Sequence, residues 1–161
     1  VLLRAGKTNY KMNEFESAVK YYTEAMENFA ELVDLEPENG RAPRDKAWCH
    51  FFLSEALIAN ESTDKGLEQL EWGLNLIRDR CVAYPSDADA RNDLVRYVGS
   101  YIWICDQAGK LEQANAGCNA VLLVLQPVVE ANPNNYALSE IFSKMEEYLS
   151  QVESVLSAVP E

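Results

Sequence analysis

Cys49 and His50 are neighbours in the chain, and a thiol with an imidazole is the pair from which nucleophiles and metal centres are built. Adjacent residues on a helix point about 100° apart, so the two cannot easily chelate one ion together. His50 is the single histidine, whereas a metal site needs several converging ligands. On an apolar helix face His50 is expected to be a hydrogen-bonded core residue. Cys105 and Cys118 fall on facing sides of one predicted hairpin, where a redox link could form, yet both replace ordinary packing residues. With Cys49 and Cys81 they lack CxxC spacing and are expected as reduced core residues of a cytoplasmic protein. The carboxylate pairs Glu14/Glu16, Asp87/Asp89 and Glu146/Glu147 have the chemistry for acid–base work. Asp87/Asp89 lies at a helix start, where exposed N–H groups favour negative charge; the other pairs look like solvated helix faces. A glycine-rich phosphate loop, a GxSxG elbow and an HExxH pair are all absent from the sequence. The pattern predicts no enzyme, no metal site and no cofactor. Asn60-Glu61-Ser62 matches a glycosylation acceptor, but a match of that length arises by chance.

The elements that carry these residues belong to an ordinary globular chain. It has 161 residues, 48% of them hydrophobic, and a formal charge of −12. A polyanion needs clustered Lys and Arg to grip it, and none is visible, so neither nucleic acid nor an anionic membrane is an expected partner. No uninterrupted apolar run reaches membrane-spanning length; the longest, Ala120 to Leu125, is closed by Gln126 and Pro127. No signal peptide is visible, although a chain beginning at Val1 leaves a removed leader open.

A fixed period organises the helices. Pro37, Pro85 and Pro133 stand 48 residues apart, and Ala18, Gly66 and Ala114 keep the same interval. Such a period is the mark of a stacked repeat array. Apolar residues recur at i, i+3, i+4 and i+7. Phe15, Ala18, Val19, Tyr22, Ala25, Met26 and Phe29 predict a helix from about Asn13 to Glu36, with Asn13 and Glu16 as a capping box. A second helix should begin near Pro43 and bury Ala47, His50, Leu53, Ser54 and Leu57. Asn60 to Ser62 form a turn. Leu67, Leu70, Leu74, Ile77 and Cys81 line the next helix. Ser86 with Asp89 should cap a helix holding Leu94, Val98, Tyr101, Ile102 and Cys105, and Gly109 marks its turn. Leu111, Ala114, Cys118, Val121, Leu122 and Leu125 line the return helix, which Pro127 should kink or split. A final helix uses Ile141, Met145, Tyr148, Leu149, Val152 and Leu156. The fold class is therefore all-α: an α-solenoid of stacked antiparallel hairpins in a single domain. About three repeats, near residues 1–37, 42–85 and 87–133, precede a capping helix near 136–158. By the same period the first helix should start before Val1, so a longer parent protein is expected.

Gly6, Tyr10, Phe15, Ala18, Tyr22, Ala25 and Pro37 resemble a tetratricopeptide repeat. The 48-residue period is similar to the long-helix variants of that family, and "LEPENGRAPRDKAW", "AYPSDADARNDLV" and "ANPNNYALSEIF" look like its junctions. The resemblance implies that the first helix of each hairpin lines a concave face. Its register would place Lys7, Tyr10 and Lys11, then Trp48, Phe51 and Glu55, then Arg96, Trp103 and Asp106 along that groove. At the places of the family's chaperone-tail clamp stand Leu3, Lys7, Phe52, Arg96 and Ser100. Only Arg96 keeps the expected charge, which implies no binding to tails ending in Glu-Glu-Val-Asp. The expected function is a non-enzymatic interaction module or scaffold for a protein or peptide ligand. The alternative is a regulatory segment of a protease- or kinase-type effector whose catalytic domain lies elsewhere. Homo-oligomerisation through repeat ends is a further reading.

Overall fold

The computed structural model describes residues 1–36 and 41–158. Residues 37–40, with Pro37, and 159–161 lie outside the described residues. All regular structure among the described residues is helical: α1 (Leu2–Lys11), α2 (Phe15–Leu35), α3 (Arg41–Ala59), α4 (Thr63–Ala83), α5 (Ala88–Gln107), α6 (Leu111–Ala131) and α7 (Tyr136–Ala158). The chain forms two compact units, Val1–Leu76 and Ile77–Glu161, divided within α4.

In the first unit α1 and α2 pair, and α3 packs against both. Ala18, Tyr22, Leu53 and Ala56 form a buried cluster, with Leu3, Tyr10 and Phe52 packed on it. The start of α4 runs back along α3. His50 Nδ1 and Gln69 Oε1 are hydrogen-bonded at 2.9 Å, while Gly66 lies beside Ile58 and the Ser54 carbonyl. A Cβ on Gly66 would fall 2.9 Å from that carbonyl, so this close crossing requires glycine. In the second unit α5 and α6 pair and α7 packs against both. Leu94, Tyr97, Val98, Tyr101, Val121, Leu125, Leu138 and Met145 fill its interior. Ile102 and Leu111, expected inside, are only half-buried.

Three turns between helices are built alike. Asn13, Glu61 and Gly109 have φ of 61°, 60° and 67°, and they stand one 48-residue period apart. Each closes its helix with the same bond pair. Asn13 N–H donates to Tyr10 O and Glu14 N–H to Asn9 O; Glu61 and Ser62 repeat this onto Ile58 and Leu57, and Gly109 and Lys110 onto Asp106 and Cys105. This is the Schellman arrangement, which needs a left-handed residue after the C-cap. Asn13 is thus the end of α1, not the cap of α2; Glu14 occupies that cap without a side-chain bond. Asparagine suits both duties, and here its tolerance of positive φ decides. Glu61 carries a side chain in a conformation that costs about 1 kcal/mol. Glu61→Gly is therefore expected to stabilise the protein by about 1 kcal/mol and Gly109→Ala to destabilise it by a similar amount, both read by urea unfolding. No heavy atom lies within 4 Å of a Cβ at Gly109, so the effect there is backbone strain alone.

The proline turns that precede α5 and α7 are also alike. Tyr84-Pro85-Ser86-Asp87 and Asn132-Pro133-Asn134-Asn135 are turns closed by Asp87 N–H to Tyr84 O and Asn135 N–H to Asn132 O. The residue that closes each turn then caps the next helix. Asp87 Oδ1 accepts from the N–H of Asp89 at 2.8 Å, and Asn135 Oδ1 accepts from Leu138 N–H at 3.2 Å. Ser86 does not cap α5, because the turn ends one residue later. Arg91 and Asn135 both donate to the Pro85 carbonyl, at 2.8 and 3.2 Å, tying the start of α7 to the start of α5. Pro127 lies on the exposed side of α6 and does not split the helix. The carbonyl its ring deprives of a donor belongs to Leu123, itself 74% exposed, where water can serve instead. By length and composition α6 is apolar enough to cross a membrane. In the folded chain Ala114, Cys118, Val121 and Leu125 form its buried side.

Candidate functional site

The sequence-selected residues fall on one face in each unit. In the first, helical spacing puts Trp48, Phe51, Phe52 and Glu55 along one side of α3. The Trp48 and Phe51 rings lie 5.5 Å apart, and Phe51 and Phe52 5.6 Å apart. Phe52 stacks on Tyr22 at 5.7 Å, and Lys7 Nζ sits 4.1 Å above the Phe52 ring. That geometry is a cation–π contact. Burial raises the Glu55 carboxyl above its ordinary range, and Lys7 opposes the rise. Burial also raises the Tyr10 phenol, with Glu55 adding to it. Lys7, Tyr10 and Glu55 therefore share one electrostatic neighbourhood, while Lys11 is exposed at the end of α1. Phe52 and Tyr22, which make the floor of this face, were not among the candidates. Their signal was the aromatic run in α3 and the apolar stripe of α2.

In the second unit Arg96, Trp103 and Asp106 lie along α5; Trp103 and Asp106 border an open cleft between α5 and α7, and Arg96 lines an adjoining hollow. Its volume is about 410 Å³. Trp103 is 59% exposed and lines the cleft with Tyr148, Val152 and Val155. Gly99 forms part of the floor; a Cβ there would meet Tyr148 Oη at 3.5 Å, an ordinary contact. Gly99 and the α7 wall were missed by sequence reasoning, which assigned α7 to capping. The spacing of Tyr148, Gln151, Val152 and Val155 at i, i+3, i+4 and i+7 was their signal.

The residues with reactive chemistry are used structurally. All four cysteines are free and buried. Burial, joined by the Asp45 charge, pushes the Cys49 thiol up to about 12. Burial likewise takes Cys81 and Cys118 to about 11. A thiol held protonated is a poor nucleophile. Burial lowers the His50 imidazole from its usual 6.5, against its bond to Gln69. Asp87 is a helix cap and also accepts from Arg80 Nη2 at 2.7 Å. No group of three or more potential metal ligands is found among the described residues.

What the arrangement offers is apolar and aromatic surface with a few charges at its border, the composition of a docking surface. No protein-family model, curated protein or solved structure matches this chain.

Proposed function

We propose that the chain is a non-enzymatic interaction module, a tetratricopeptide-like α-solenoid whose first helices present a concave face to a protein or peptide segment. The observation that carries this reading is the α5–α7 cleft, where a tryptophan 59% exposed overhangs about 410 Å³ of largely apolar space. Large exposed aromatics on rigid helices are typical anchors for a partner. Burying one apolar side chain there would contribute about 1.5–3 kcal/mol. The equal spacing of the three left-handed turns supports repeated hairpins. The free, buried thiols support a reducing, cytoplasmic setting.

The test compares partners recovered from the native cell by wild type and by Trp48→Ala/Trp103→Ala. A specific partner should be lost at least tenfold while thermal stability changes little, since both side chains are partly solvent-facing. Undiminished recovery by the double variant refutes the face as the docking surface.

A further inference from the structure

The α5–α7 cleft has an equivalent place inside the same chain, where other side chains stand at the matching positions. Two periods separate α5 from α1 and α7 from α3. Gly99, Trp103 and Asp106 thus take the places of Leu3, Lys7 and Tyr10, and Tyr148 and Gln151 those of Phe52 and Glu55. In the first unit Leu3 packs with Phe52 on one buried cluster. Lys7 covers the Phe52 ring at 4.1 Å and interacts with the Glu55 carboxylate. An aliphatic side chain and a cation, one helical turn apart, thus stand where the second unit has Gly99 and Trp103.

The second unit keeps the receiving side and lacks the entering one. Tyr148 supplies the ring. Gln151 Nε2 donates to Glu147 Oε1 at 3.2 Å, so a carboxylate stands behind the Glu55 equivalent, and Asp106 adds another at the border. Leucine's place is Gly99, and lysine's is Trp103, turned to solvent. Arg96 lines the adjoining hollow, and Lys144 Nζ lies 5.7 Å from the Tyr148 ring. Asp106 thus gives the cleft an acidic border, in a chain of charge −12.

Building on the interaction-module reading, we infer that this cleft binds a basic amphipathic helix of a partner. That helix inserts a leucine-like side chain beside Gly99 and Tyr148 and points a Lys or Arg, four residues on, toward Asp106. The i, i+4 spacing puts both side chains on one helix face. The cation gains the Tyr148 and Trp103 ring faces together with the acidic border.

The probe is a capped peptide with the sequence of residues 1–11, which carries the Leu3/Lys7 pair, titrated into the uniformly labelled protein and followed by amide and indole NMR shifts. Shifts confined to Gly99, Trp103, Tyr148 and Val152 are expected. The Lys7→Gln peptide should bind about tenfold more weakly. In the protein, Gly99→Leu should abolish binding by filling the floor, while its circular dichroism stays native because leucine favours a helix over glycine. Binding undiminished in Gly99→Leu, or equal affinity for a peptide with its basic residues changed to Glu, overturns the inference and leaves the module reading standing. If no sequence from a random peptide display shifts these residues, both fall.

Discussion

Arg80→Ala is expected to destabilise the protein by about 3–5 kcal/mol, the usual result of breaking a buried ion pair by removing one partner. Arg80 reaches from the end of α4 to two carboxylates, Asp87 at 2.7 Å and Asp93 at 3.3 Å. The Asp93 side chain is only 2% exposed, and that of Arg80 12%. Removing the guanidinium takes one partner from a carboxylate that is almost wholly buried, so less of the cost of desolvating that charge is offset. The Asp87 contact contributes less, because its side chain is 38% exposed and screened by solvent. Asp93→Asn in the Arg80→Ala background should restore at least half of the loss, since the amide keeps polar atoms without the charge. Urea unfolding at neutral pH reads both. A cost below 1 kcal/mol for Arg80→Ala would show that the pair is not holding α4 to α5.

The second large effect is expected at the crossing of α1 and α2. Tyr22 is 2% exposed, and its ring stacks on Phe52. It also lies against the bare backbone of Gly6, where a Cβ would fall 2.5 Å from Tyr22 Cε1. Tyr22→Ala should cost about 3–5 kcal/mol through lost burial and the cavity left behind. Gly6→Ala should cost about 1–3 kcal/mol, because overpacking outweighs the better helix propensity of alanine. The double variant should be more stable than the sum predicts by at least about 1 kcal/mol, since the new methyl enters space the ring has left. Strict additivity would mean that the two do not share that space. The ring also supports Phe52 beneath Lys7, so Tyr22→Ala is expected to disturb the first candidate face as well.

Local patterns anticipated the helices well. Leu67, Leu70, Leu74, Ile77 and Cys81 were picked by spacing alone, and all five are buried. His50 was expected to be a hydrogen-bonded core residue and is one. Two of the misses lie at helix ends. Asn13-Glu14-Phe15-Glu16 fits a capping box, yet Asn13 completes the bonds of the preceding helix. Two overlapping rules competed for one residue, and the carbonyls of Asn9 and Tyr10 settled it. Ser86 and Asp87 posed the same ambiguity, resolved by where the proline turn closes. In the site, Arg96, Trp103 and Asp106 came from helical register, but Gly99 and Tyr148 did not. A glycine within an apolar stripe says nothing of space until the facing helix is in place.

Residue order alone specified the inward stripes of six helices, α2 to α7, and a common 48-residue interval, because each helix must bury its own apolar side and the chain states that side every three or four residues. It left open which stripes would meet flush and which would leave a gap. That depends on the summed volumes of side chains from helices far apart in the chain. Lys7 lies over the Phe52 ring in one unit, while Gly99 and Trp103 line an open cleft beside Tyr148 in the other.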